Sequence, residues 1–272
     1  MNAGSNIRRG YVDVADRQCH YRSAGEATLP TLLLLHQSPS SSAMYEPLMN
    51  QLQDRYYILA PDTPGFGNSD ALPVPAAELN IADYARAIHG FCAALDVARC
   101  HVFGHHTGAA IAVQLESDFP GTAISMALSG PTLLSEEQKQ GLPALASPFP
   151  LSADGAHLQA MWQRLREKDP EAPLALSQRE LLSAFSCGES YQASYNAVAR
   201  QDFADQLASL ACPVLAFAGG EDPLRASVEP TLQRLREGHK LVAPEDQRTY
   251  ICERQAGWLG EALHAFFNGE GK

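Results

Sequence analysis

The chain has 272 residues, of which 45% are hydrophobic and 19% are charged, so it can bury a large core and is not expected to be disordered. Its formal charge of −11 argues against binding to nucleic acid or to anionic membranes, because both need a basic surface. No apolar run approaches the roughly 18 residues of a membrane span. The polar segment 1–10 lacks the apolar stretch of a signal peptide, and the six scattered cysteines fit buried thiols, so we expect a cytoplasmic protein.

Short apolar runs alternate with segments of helical periodicity along most of the chain. After two strands around a turn at Ala15 and Asp16, the predicted strands lie at residues 31–35, 56–60, 100–103, 123–129, 213–218 and 240–243. The predicted helices lie at residues 43–53, 81–95, 109–118 and 258–267. This alternation predicts an α/β fold, a mostly parallel sheet with helices on both faces.

One stretch breaks the alternation of strands and helices. From residue 130 to about 210 the sequence is rich in Pro, Ser and Leu, with helical pieces and no convincing strand. We therefore predict a core built from residues 1–130 and 211–272, with a helical cap inserted at 131–210.

Four motifs in the chain carry a family resemblance. In chain order they are Leu33-Leu34-Leu35-His36 with Ser38-Pro39, Pro61-Asp62-Thr63-Pro64-Gly65-Phe66-Gly67-Asn68-Ser69-Asp70, Gly104-His105-His106-Thr107-Gly108, and Gly219-Gly220-Glu221-Asp222-Pro223. Together they resemble the α/β-hydrolase superfamily, in the subgroup with a helical cap after the sixth strand. The resemblance implies an eight-stranded, mostly parallel sheet flanked by helices, a nucleophile elbow at residues 104–108 and a catalytic acid at Asp222.

Two positions depart from the pattern of that superfamily. His106 occupies the place of the usual Ser, Cys or Asp nucleophile, and Thr249 falls where the catalytic histidine is expected, or Tyr250 if the alignment slips by one residue. No histidine occurs between His239 and His264 to replace it. The sequence thus keeps the acid but lacks the usual nucleophile and its base.

The two departures suggest a catalytic dyad of His106 and Asp222. A neutral imidazole already has a lone pair, so it can act as a general base on water or attack a carbonyl directly; the sequence leaves both open. The backbone N–H groups of Gln37 and Thr107 are the expected oxyanion donors, and the Gln37 side chain adds an amide nearby.

Six further residues are candidates of lower priority. His36 lies in the oxyanion loop and is considered for substrate contact, and His105 is expected mainly to pack against the sheet or a neighbouring helix. In the cap, Trp162 is considered for the pocket lining together with Phe185, Tyr191 and Tyr195, although their helical spacing also suits packing of the cap onto the core. His105 and His106 are neighbours whose side chains point apart, and the cysteines are not clustered, so we expect neither a metal nor another cofactor.

These features predict an enzyme that acts on a small molecule held under the cap. Hydrolysis of an ester-like or carbon–carbon bond is what the resemblance implies. A lyase or cyclase that uses the same base, and a catalytically silent ligand-binding protein, are the alternatives. Whether two copies form a homodimer stays open.

Overall fold

The computed structural model describes residues 6–269. Residues 1–5 and 270–272 lie outside that range, so the expectation about a signal peptide falls partly outside the described residues. Among residues 6–269, no helix has the length and apolar character needed to cross a membrane. All six cysteines are buried, as expected for small apolar side chains.

The centre of the molecule is an eight-stranded sheet in the order β1-β2-β4-β3-β5-β6-β7-β8. Its strands are β1 (Arg8–Val14), β2 (Arg17–Ala24), β3 (Thr31–Leu35), β4 (Tyr57–Pro61), β5 (Cys100–His105), β6 (Ala123–Ser129), β7 (Val214–Phe217) and β8 (Gly238–Lys240). The pairings β1–β2 and β2–β4 are antiparallel, and the other five are parallel. The prediction of a mostly parallel eight-stranded sheet flanked by helices is confirmed.

Eleven α-helices are found between residues 6 and 269. They are α1 (Glu46–Leu52), α2 (Ile81–Ala94), α3 (Thr107–Asp118), α4 (Glu136–Leu145), α5 (Ala156–Lys168), α6 (Leu174–Ser186), α7 (Ser190–Arg200), α8 (Phe203–Ser209), α9 (Val228–Leu232), α10 (Ile251–Arg254) and α11 (Ala256–Phe267). Helices α4 to α8 fall within the predicted cap, between β6 and β7. The boundaries of the cap as a domain stay a prediction.

The core forms on both faces of the sheet. On one face, α2 and α3 pack against the strands together with cap helices such as α7, and Val102, Phe91 and Ile111 are fully buried there. On the other face, α1 and α11 pack together over Leu34 and Phe103. The central strands are therefore apolar on both faces, which explains the continuous apolar runs of β3 and β5.

The last strand differs from its prediction. The apolar residues Leu241 and Val242 suggested a strand over 240–243, but β8 ends at Lys240 and Val242 is 78% exposed. Within residues 6–269, strand β8 pairs only with β7, for example through Leu215 and His239, so it lies at the edge of the sheet. An edge strand keeps polar residues, and this one has no apolar run to reveal it.

Candidate active site

The turn between β5 and α3 carries the central residue of the site. His106 has φ 50° and ψ −111°, a conformation that L-residues rarely adopt, and it lies between the last residue of β5 and the first of α3. The flanking glycines permit this turn because a Cβ on Gly108 would lie 1.9 Å from the carbonyl oxygen of Leu35. The same close approach sets the start of α3 against the end of β3 and the loop that follows it.

His106 and Asp222 are in direct contact. The distance from His106 Nε2 to Asp222 Oδ2 is 2.8 Å, and Asp222 Oδ1 accepts a hydrogen bond from the N–H of Leu224 at 2.8 Å. Burial alone raises the pKa of Asp222, but the charge and hydrogen bond of His106 outweigh it and hold that pKa below its usual value. Asp222 is therefore a carboxylate at neutral pH, and it accepts the Nε2 proton of His106.

This contact leaves the other ring nitrogen of His106 unengaged. No residue between 6 and 269 bonds to Nδ1, and the side chain is 15% exposed. The Cδ2–Nε2 edge of the ring faces Gly130, so Nδ1 lies on the opposite edge. With the proton held on Nε2, Nδ1 carries the free lone pair.

Gly130 is a site residue that the sequence interpretation missed. It follows β6 directly and has φ +62°. A Cβ at this position would lie 2.4 Å from Cδ2 and 2.6 Å from Nε2 of His106. The missing side chain is therefore what leaves space for an imidazole at the elbow. A glycine directly after a core strand was the available signal, but nothing in the sequence linked it to His106.

His105 lies beside His106, with the two ring centroids 4.3 Å apart, and it fixes the loop that contains Thr249. The expectation that the two side chains point apart is wrong. It is fully buried; its Nε2–H donates to the carbonyl oxygen of Thr249 at 2.8 Å, and its Nδ1 accepts from the hydroxyl of Ser129 at 2.9 Å. Burial lowers the pKa of His105 to about 3. Both nitrogens of this neutral ring are therefore engaged within the protein, and the packing role expected for His105 stays a prediction. Thr249 itself lines the cavity described below.

Gln37 and Thr107 both present backbone N–H groups near the elbow. Neither N–H has a hydrogen-bond partner among the described residues, because Thr107 is the first residue of α3 and Gln37 lies in the loop after β3. Both residues line the same cavity as His106. Free donors at a helix N-terminus are suited to a developing negative charge on oxygen.

His36 and Trp162 are not among the residues that line the cavity. His36 is buried, its Nδ1–H donates to the carbonyl oxygen of Gln37 at 2.7 Å, and its Nε2 accepts from the N–H of Thr63 at 2.9 Å. Both nitrogens are therefore engaged within the protein, and His36 is not among the residues that line the cavity. Its contact with substrate stays a prediction. Trp162 is half-buried in the cap and is not among the residues that line the cavity. Tyr250 is buried just before α10 and is likewise absent from the lining.

A cavity of about 790 Å³ lies between the elbow and the cap. The core contributes Gln37, His106, Thr107 and Thr249 to its wall, and the cap contributes residues of α4, α5 and α7, among them Tyr195. A volume of this size is typical of a site for a small organic molecule. Of the cap aromatics proposed for the lining, only Tyr195 reaches it among the residues that the structure describes.

The family model for the alpha/beta hydrolase fold matches residues 30–227 of the chain. The chain belongs to the α/β-hydrolase family. The match includes β3, the elbow and Asp222, and the resemblance inferred from the four motifs is confirmed. The family match and relatives named as hydrolases also support the prediction of an enzyme.

Curated relatives match parts or nearly all of the α/β-hydrolase chain. An uncharacterized protein of Mycobacterium tuberculosis is 32% identical over 100 residues, which are 37% of this chain and only 28% of the relative. The (E)-2-((N-methylformamido)methylene)succinate hydrolase of Acinetobacter baylyi is 24% identical over 258 residues, covering 92% of this chain and 94% of that one. Among solved structures, 2-hydroxy-6-oxo-6-phenylhexa-2,4-dienoate hydrolase from Rhodococcus shares the fold with a TM-score of 0.80 at 18% identity, over 97% of this chain and 99% of that one.

Proposed function

We propose that the protein hydrolyses a small ester-like or carbon–carbon bond substrate, with His106 as the general base and Asp222 as the residue that orients it. The observation that carries this proposal is the 2.8 Å contact between Nε2 of His106 and Asp222, which leaves Nδ1 as the lone pair of a ring that lines the cavity. The Acinetobacter relative, which matches over nearly its whole length, is named as a hydrolase of a small acid, and that name supports the reaction class.

The steps for an ester follow from the positions of these groups. Nδ1 removes a proton from a water molecule as the water oxygen bonds to the carbonyl carbon, and the carbonyl electron pair moves onto its oxygen. The N–H groups of Gln37 and Thr107 stabilise that oxyanion. When the carbonyl re-forms, the bond to the leaving oxygen breaks and the imidazolium returns its proton to that oxygen. The products are a carboxylic acid and an alcohol.

General-base catalysis fits the elbow better than direct attack by the ring. Nδ1 is bonded to Cγ, so an acyl group on it would be placed next to the Cβ and backbone of His106, where the turn is tightest. A water molecule needs far less room. Incubation with a slowly hydrolysed activated ester and mass spectrometry of the intact protein distinguishes the two, since direct attack adds an acyl mass that His106→Ala abolishes.

Turnover of p-nitrophenyl butyrate by purified protein tests the proposal. We expect His106→Ala to lower kcat by about 10²- to 10⁴-fold, the usual contribution of a general base. Asp222→Asn is expected to cause a loss of similar order, because an amide can donate to Nε2 and place the ring proton on Nδ1. Matched controls are His89→Ala on α2 and Asp246→Asn in an exposed loop, which should leave kcat unchanged. Equal activity in His106→Ala and the native protein would exclude the dyad.

Proton abstraction from carbon is the second candidate function. It is favoured by one observation: the elbow of a family built around a nucleophile here carries a base with a free lone pair. Exchange of deuterium from D2O into a carbonyl substrate, without bond cleavage and dependent on His106, would identify this reaction. Tight ligand binding without turnover or exchange, unaffected by Asp222→Asn, would identify a silent binding protein.

A further inference from the structure

The charged side chains of the cavity wall differ in whether another group of the protein contacts their charge. Arg248 forms an ion pair with Glu221. The guanidinium of Arg164 lies 4.0 Å from the centre of the Phe149 ring and donates to the carbonyl oxygen of Ser147. Both arginines are therefore already engaged by the protein.

Lys168 is the exception among the cavity cations that the structure describes. It is the last residue of α5, it lines the cavity, and none of residues 6–269 forms a hydrogen bond or ion pair with its ammonium group. Met161 and Leu165 precede it on the same helix face and are buried, so the helix directs Lys168 inward. An inward ammonium without a partner is costly unless a ligand supplies one.

The surroundings of Lys168 keep it charged. Burial alone lowers its pKa, but nearby acidic groups outweigh that effect and raise the pKa above its usual value. These groups are the phenols of Tyr191, Tyr195 and Tyr250 and the carboxylate of Glu180. The direction of this pKa shift favours the charged form of the ammonium.

The charge of the cavity wall favours a single negative charge on the ligand. Three cations and two carboxylates line it, a balance of one positive charge in a protein whose formal charge is −11. The unpaired member of that set is Lys168. A dianionic phosphate would meet Glu167 and Glu221 on the same wall, whereas a carboxylate matches one ammonium.

We propose that Lys168 binds a free carboxylate of the substrate, so that the substrate class is a small acid whose reacting carbonyl lies over His106 while its carboxylate reaches the end of α5. This inference rests on the proposed function for the identity of the reacting group. The binding of a carboxylate at Lys168 does not depend on catalysis and can be measured separately.

A pair of esters that differ in one charge tests the proposal. The mono-p-nitrophenyl ester of glutaric acid carries a carboxylate, and its methyl ester does not. We expect the native enzyme to prefer the acid, and Lys168→Met to raise KM for the acid by about 10- to 100-fold while kcat changes by less than about threefold, in keeping with one charged hydrogen bond. The methyl ester should be unaffected, and Lys168→Arg should retain part of the preference. Equal effects on both esters, or no preference for the acid, would overturn the proposal.

Two controls separate a binding role from a structural one. Lys240→Met removes an exposed lysine, paired with Glu229, far along the chain in β8, and should leave both esters unchanged. Lys168→Met should melt at the same temperature as the native protein or higher, because it removes a charge without a protein partner. A lower melting temperature together with equal losses on both esters would assign Lys168 a structural role.

Direct binding keeps the test informative if neither ester is hydrolysed. Calorimetric titration of monomethyl glutarate, which carries one carboxylate, into His106→Ala and into the double variant with Lys168→Met measures the anion site alone. We expect affinity for monomethyl glutarate in His106→Ala and at least a tenfold loss in the double variant. Equal affinity in the two, or no binding in either, refutes the carboxylate site, whereas binding without hydrolysis by the native enzyme refutes only the proposed function.

Discussion

Gly130→Ala should displace the His106 ring without touching either member of the dyad chemically. The new Cβ would lie 2.4 Å from Cδ2 and 2.6 Å from Nε2 of His106. Non-bonded carbon atoms stay about 3.5 Å apart, so the ring must move by about 1 Å. A shift of that size takes the 2.8 Å contact to Asp222 beyond hydrogen-bonding distance. Misplacement of a catalytic group by about 1 Å can cost about 10²-fold in rate.

The same substitution also strains the backbone, so its control must share that strain. Gly130 has φ +62°, where alanine costs about 1–2 kcal/mol relative to its usual conformations. Gly188, in the loop between α6 and α7, has φ +51°, and a Cβ there meets no atom within 4 Å. Gly188→Ala is therefore expected to lose similar stability and no activity.

The assay is kcat/KM for p-nitrophenyl butyrate together with the free energy of unfolding in urea. Gly130→Ala should lose about 10²-fold in kcat/KM and about 1–2 kcal/mol of stability, and Gly188→Ala only the latter. Full activity in Gly130→Ala would refute the idea that this glycine sets the ring position. Equal activity losses in the two variants would attribute the effect to general destabilisation.

Three further predictions concern pH and the elbow. Glu253 in α10 forms an ion pair with Arg179, but burial outweighs that pair and raises the pKa of Glu253 from 4.5 to about 7. Its contribution to stability is therefore present below pH 4.5 and lost as pH rises through 7. The free energy of unfolding of Glu253→Gln should gain about 3 kcal/mol relative to the native protein across that window, and a constant difference would contradict this. The pKa of His105 is about 3, so the free energy of unfolding of the native protein should fall by on the order of 4 kcal/mol as pH drops from 6.5 to 3. Urea denaturation at a series of pH values measures this fall. The same fall in His105→Gln would show that His105 is not its cause. His106→Ser alone should give no efficient esterase, because Thr249 cannot act as a base. The double variant with Thr249→His should turn over ester faster than His106→Ser. Strong activity in the single variant would show that another residue serves as the base.

Most of the fold could be predicted because its signals are local. The apolar runs of β3 and β6 predict buried strands, and the helical spacing of α2 predicts a helix. Helix α2 also begins with a capping box between Asn80 and Asp83. The error at β8 has the same origin, since an edge strand needs no apolar run. The strand was therefore predicted at the neighbouring apolar residues, and the exposure of Val242 shows that they do not form it.

The site was only partly predictable because it is assembled from distant segments. His106 and Asp222 could be placed from their motifs, yet the role of Gly130 depends on a contact that no motif encodes. Lys168 left a weak signal, since it follows Met161 and Leu165 on the apolar face of α5, where a lysine is out of place. The role of His36 could not be assigned from the sequence, because residues that hold an oxyanion loop and residues that face substrate are indistinguishable by position in the sequence.

The orientation of the His106 ring explains how an acid can be kept when the nucleophile and its base are both replaced. In a serine triad the acid binds Nδ1 of a histidine on the last loop, and Nε2 faces the nucleophile. Here the ring stands on the elbow, so Asp222 meets the far nitrogen, Nε2, and the lone pair remains on Nδ1. In the proposed mechanism Thr249 has no catalytic role, and its carbonyl oxygen accepts the hydrogen bond of His105. His105 thus fixes the last loop, and His106 occupies the space that a histidine on that loop would fill in a serine triad.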